Sequence, residues 1–115
     1  VLHAHGPDIM FPLLRKYPVQ IFNWHAWESL PEIGEAALLT GKCLMAGLER
    51  MDITEGHKNE IERQIYETLR QTGGRRIIVS PGCVIRYPLD REMLSFVRKA
   101  KEEIEEKMFP KPKMK

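Results

Sequence analysis

Cysteine is scarce in this chain: only Cys43 and Cys83 occur among 115 residues. No signal-peptide pattern precedes them, so the scarcity argues against a disulfide framework and for a reducing, cytoplasmic setting. No apolar run approaches the ~20 residues that a membrane-spanning helix requires. Charge of one sign is also lacking. The formal net charge is only +2, too little to suggest a nucleic-acid partner. No Gly-rich phosphate loop follows the first apolar run, where a dinucleotide-binding fold would need one: Gly6-Pro7 does not supply it, and Gly73-Gly74 precedes a strand instead. Internal repeats and low-complexity segments are absent. An initiating Met is missing too, and Val1-Leu2 already reads as strand interior, so the expectation is the back part of a longer protein.

What is present is a rhythm. The length fits one domain, and 43% hydrophobic residues suffice for an ordinary core. Four apolar runs each lead through a turn into a helical pattern. Val1-Leu2-His3 is followed by Gly6-Pro7 and a short helix, "IMFPLLRK", for which Asp8 is the expected cap and in which Pro12 lies in the first turn. "VQIFNW", Val19 to Trp24, is β-branched and aromatic. After it, Ser29 and Glu32 have capping-box spacing ahead of a helix that stops at Gly41. "CLMAG", Cys43 to Gly47, leads through "LERMDITEGH" into a helix in which Ile61, Ile65 and Leu69 recur at i, i+4, i+8, closed by Gly73-Gly74. "RIIVS" ends in Pro81-Gly82-Cys83. Asp90 then caps a last helix whose expected apolar face is Leu94, Val97, the Lys101 stem and Ile104.

The order is β-α-β-α-β-α-β-α, with strands apolar on both faces, as in parallel sheets covered by helices. The fold class expected is therefore α/β, four βα units forming half of a (β/α)8 TIM barrel over residues 1–109. Residues 110–115, the end of "FPKPKMK", form a solvated basic tail.

In such a fold, residues just past the strand ends are the site candidates. The first strand contributes His3 and His5, which share a face when extended. The second contributes Asn23, Trp24 and His25, the third Glu49 and Arg50, and the fourth Cys83 and Arg86. Imidazole and thiolate are good zinc ligands, and three protein ligands with one open position describe a catalytic site. Against this stands the plainer reading of polar strand-end residues bonded to backbone, with Cys83 a small buried side chain. Trp24 and Trp27 could simply fill the barrel mouth, and Asn23 could orient a substrate or tie the loop backbone. Cys43 reads as core, His57 as a solvated residue at a helix start, and "RKAKEEIEEK" as a solvated face.

"VLHAHG", "FNWH", "MAGLERMD" and "IIVSPGCVI" resemble the C-terminal part of the uroporphyrinogen decarboxylase family, which includes the zinc-dependent cobalamin:thiol methyltransferases. The resemblance covers nearly all of the chain up to the tail, and its most specific pieces are His-x-His-Gly and Pro-Gly-Cys. It implies the last four units of a (β/α)8 barrel. The family's methyltransferases carry His-x-Cys at the strand matching His3 and a distant Cys in the loop matching Cys83, and these hold zinc. Here His3 and Cys83 match, and His5 stands in place of the first Cys. The resemblance thus implies zinc on His3, His5 and Cys83. The leading reading is methyl transfer between a thiol and a corrinoid on a partner protein, with His25 or Glu49 as fourth ligand or proton-transfer group and the strand-end residues Asn23, Trp24 and Arg86 toward substrate. The decarboxylase branch is metal-free and has a His where this chain has Cys83; tetrapyrrole decarboxylation is the alternative function. A third expectation is a catalytically inactive half-barrel that pairs with the missing N-terminal half or with a second copy, because an open parallel sheet has unpaired edges.

Overall fold

The computed structural model describes residues 1–85 and 89–111. Its four strands are β1 (Leu2–His3), β2 (Ile21–Asn23), β3 (Cys43–Leu48) and β4 (Ile77–Pro81), and they form one sheet in the order β1-β2-β3-β4. All three pairings are parallel. The class is α/β, and sequential parallel order places every strand's C-terminal end on the same edge. The helices are α1 (Phe11–Leu14), α2 (Ile33–Thr40), α3 (Arg50–Glu55), α4 (Lys58–Thr72) and α5 (Arg91–Met108).

Helices α2 and α4 pack on the sheet, and α5 packs on α4. The side chains they cover follow the strand period of two. Leu44, Ala46 and Leu48 are buried, and in register with them lie Ile77, Val79 and Pro81 of β4. The other face is partly open: Met45 is half-buried and its register partner Ile78 is 44% exposed. The apolar strands therefore lose water on one face, among the described residues, rather than on both. The molecule is correspondingly flat, 43 × 42 × 19 Å. Its radius of gyration of 14.5 Å exceeds the ~13 Å of an equally long compact domain.

Two core clusters carry the packing. Phe11, Phe22, Trp24, Ile33, Ala36, Leu44 and Ala46 sit under α1 and α2. Leu48, Ile53, Ile61, Ile65, Leu69, Met93 and Ala100 sit between β3, α4 and α5. The Ile61-Ile65-Leu69 stripe is buried as its spacing predicts.

Several local expectations change. Gly41 and Gly73 end α2 and α4 in the left-handed region, and Asp90 Oδ1 accepts from Glu92 N, as expected. Asp8 does not cap α1, which is a single turn entered through Met10. The Ser29 capping box does not form either. Ser29 lies at the end of a tight turn begun by His25, and its hydroxyl donates to Gly6 O at 2.5 Å. α3 interrupts the segment read as a connection; Glu49 caps it by accepting from Met51 N. On α5 the buried residues are Met93 and Ala100, with Val97 and Ile104 packed beside them, while Leu94 is 44% exposed. A stripe at 93, 97, 100, 104 follows the helical period more closely than one through Leu94 and Lys101. Cys43 is half-buried rather than core. The basic tail from residue 112 onward lies outside the described residues.

Candidate metal centre

The site is assembled by a loop that folds back. β1 and β4 are opposite edges of the sheet, yet one ligand atom each from His3, His5 and Cys83 lie within 4.8 Å of one another. The loop after β4 is drawn toward the end of β2. Asn23 Nδ2 donates to Pro81 O at 3.2 Å and to Met45 O at 2.6 Å, so one amide at the end of β2 reaches the backbone of both β3 and β4. Gly82 then lies directly on the backbone just after β2: a Cβ there would fall 2.5 Å from Trp24 O and 2.7 Å from His25 Cα. Only glycine fits that approach. Cys83 follows immediately.

Asn23 also orients the first ligand. Its amide nitrogen is engaged with two carbonyls, so its Oδ1, 2.6 Å from His3 Nδ1, must accept. His3 therefore carries its proton on Nδ1, and Nε2 keeps a lone pair for a cation. His5 leans on His25 edge-on, with ring centroids 5.3 Å apart, and lies 6.3 Å from the His3 ring.

The donor set fits zinc. Ideal tetrahedral bonds of about 2.0 Å to nitrogen and 2.3 Å to sulfur put ligand atoms about 3.3–3.5 Å apart. Closing from within 4.8 Å to that spacing requires rotation of side chains, two of which, His3 and His5, are exposed. Two imidazoles and a thiol are donors of the kind zinc prefers rather than those of a hard cation.

A second cluster stands behind the first. His25, Glu28 and Glu49 also offer ligand-type atoms within 4.8 Å of one another. His25 is buried, and burial lowers its basicity, with the Arg50 guanidinium adding to the effect against the opposing pull of Glu49. Its Nε2 is buried with no hydrogen-bond partner among the described residues, and its Nδ1 lies 3.4 Å from Glu28 Oε2. Burial raises the Glu49 carboxyl above the ordinary carboxylate range, and a hydrogen bond with Glu28 raises it further. The Glu49 backbone is pinned by buried Gln64, whose Oε1 accepts from Glu49 N at 2.9 Å while its Nε2 donates to Asp52 at 2.6 Å.

The structure thus brings His3, His5 and Cys83 together, and His25 with Glu49 beside them. Asn23 holds His3 and the β4 loop rather than standing free toward a substrate. Trp24 is only 1% exposed and donates to Pro31 O at 3.1 Å, so it is core and offers a substrate no surface. Trp27 lies nearer the rim, its indole donating to Gly47 O at 2.7 Å. Arg86 lies outside the described residues. Sequence reasoning missed Glu28, although His25-x-x-Glu28 within one helical turn carries the i,i+3 signal. His57, expected to be merely solvated, is hydrogen-bonded to Asp52 Oδ1 at 2.8 Å. No family model, curated protein or solved structure matches this chain. No helix among the described residues is long and apolar enough to cross a membrane.

Proposed function

We propose that the chain is the C-terminal half of a (β/α)8 barrel of the uroporphyrinogen decarboxylase kind, whose rim carries zinc-dependent methyl transfer between a corrinoid on a partner protein and a thiol. Four parallel βα units in sequential order support the barrel reading, as does one sheet face left partly open. That face and the edge strands β1 and β4 suit a further βα segment, either the remaining half-barrel or a second copy of this chain.

The observation that carries the function is the convergence of His3, His5 and Cys83 from opposite sheet edges. Zinc held by these three stabilises thiolate over thiol, giving a nucleophile at neutral pH. Asn23 fixes the His3 tautomer. The Ser29 hydroxyl ties Gly6, next to His5, to the loop after β2. His25 and Glu49 stand behind the ligands, where one of them takes the proton that the acceptor thiol releases. With His5 in place of a thiolate ligand the site keeps more positive charge, which favours an anionic acceptor.

The test is metal content. Purified without a His-tag under reducing conditions, the chain should carry zinc, and His3→Ala, His5→Ala and Cys83→Ser should each lose it. Zinc-loaded protein, supplied with its missing half, should methylate a thiol from a methylated corrinoid. Undetectable zinc in the parent ends this reading; tetrapyrrole decarboxylation without zinc would replace it.

A further inference from the structure

We infer that the groove bounded by α1, α2 and the loop after β2 is a docking surface for a basic amphipathic helix of a partner protein. It borders the candidate metal centre, since Ser29, beside Leu30, holds Gly6, beside His5, but it does not depend on zinc. Helix α2 supplies the first observation. It turns Ile33 and Ala36 into the core, yet Leu38 is 90% exposed and Leu39 41%. A helix that is apolar on both sides is normally buried on both. The second observation is where those leucines lie. Leu39 lines a cavity of about 200 Å3 together with Met10 and Leu30, which are 58% and 73% exposed. Leu30 and Leu38 also line the adjoining trough between α2 and α4. Four large apolar side chains are thus exposed along one continuous groove, as at protein interaction sites.

Charge and backbone set the chemistry of the partner. The charged groups lining the cavity are Asp8 and Glu35, and Glu32 joins Leu30 and Leu38 in the trough. None of these three carboxylates pairs with a Lys or Arg among the described residues. The guanidiniums of the trough, Arg63 and Arg70, are already paired with Glu60 and Glu67 of α4. Basic side chains flanking a partner's apolar anchors therefore meet carboxylates without a counter-charge, whereas nucleic acid or an anionic membrane is repelled. The cavity is smaller than the ~300 Å3 at which small-molecule sites begin, so it suits one anchoring side chain. No lining residue belongs to a strand. An added strand would find no backbone partners there, and a helix, which satisfies its own, fits the groove.

The test is fluorescence anisotropy with a labelled amphipathic helical peptide of Leu and Lys, beside a Leu/Glu counterpart and a scrambled Leu/Lys peptide. The purified chain should bind the first saturably and neither of the others. Leu30→Ser and Leu38→Ser change exposed side chains, and each should weaken binding about tenfold, the loss of one apolar anchor. Glu35→Lys should weaken it as much. Leu94→Ser on α5, exposed but outside the groove, should leave it unchanged. No binding, equal binding of the scrambled peptide, or undiminished binding by Leu38→Ser and Glu35→Lys overturns the inference. A chain that self-associates, and loses its dimer in Leu38→Ser, overturns it too, since a second copy then covers the patch. Zinc is measured in the same samples. Peptide binding without zinc ends only the metal reading, and zinc without peptide binding ends only the docking surface.

Discussion

His3 Nδ1 sits 2.6 Å from Asn23 Oδ1, its register partner across the β1–β2 pair. The contact joins the two shortest strands of the sheet and fixes which imidazole nitrogen is available. The same amide holds Pro81 O, so a single side chain controls both ends of the candidate centre.

Asn23→Ala removes the His3 acceptor and both carbonyl donors together. Zinc affinity, measured by competition with a chromogenic chelator, should fall about 10–100-fold, the usual effect of losing the hydrogen-bonded support of a ligand. Stability should fall by about 1–3 kcal/mol, from carbonyls left without a donor. Unchanged affinity would mean that His3 does not depend on Asn23.

Gly82→Ala tests the close approach of the β4 loop. A Cβ 2.5 Å from Trp24 O forces the loop outward, and backbone on both sides cannot yield by rotamer change. Overpacking of this kind costs about 1–3 kcal/mol. Cys83 moves with the loop, so zinc affinity should drop even at temperatures where the variant is fully folded. Wild-type affinity in a destabilised Gly82→Ala protein would detach Cys83 from the centre.

The His57–Asp52 pair predicts a pH dependence. The hydrogen bond to Asp52 raises the His57 pKa in the native state above the ordinary value of about 6.5. The folded protein therefore binds the proton more tightly than the unfolded chain. Its contribution is fully present below the unfolded pKa and is lost as pH rises through the higher native one. His25, with its lowered pKa, works in the opposite sense, so wild type must be compared with His57→Gln. The difference in urea midpoint between them should shrink as pH rises from about 6 to 8. A constant difference would show that the pair adds no pH-dependent stability.

Ile65→Ala should separate packing from chemistry. Ile65 is fully buried in α4 within the cluster that holds β3 and α5. Its truncation should cost about 2–5 kcal/mol in chemical denaturation. Zinc affinity of the folded fraction should not change, because the cluster lies away from the rim. A parallel loss of affinity would place the centre under control of the α4 packing.

Much of this was legible in the residues. Apolar runs separated by helical periodicity gave four parallel strands in order, and the glycines at 41 and 73 marked helix ends by their tolerance of positive φ. His3, His5 and Cys83 were legible as rim residues because strand ends share one edge. What the pattern could not carry was depth. Trp24 and Trp27 flank the same strand end, and only the packing of Phe11 and Phe22 against Trp24 decides which is core. α3 was invisible because a six-residue helix with one buried side chain, Ile53, has no periodicity to detect. The role of Gly82 was hidden too, since its close neighbours lie nearly sixty positions earlier in the chain.

The fold-back of the β4 loop also bears on how the chain holds itself together. His5 and Cys83 are roughly eighty residues apart, so any ion gripped by both closes a very long loop. A covalent cross-link over such a span removes chain entropy from the unfolded ensemble worth about 4–5 kcal/mol. An ion bound by both would therefore act as a clasp between the first strand and the last. Its release would loosen the flat sheet from both margins at once.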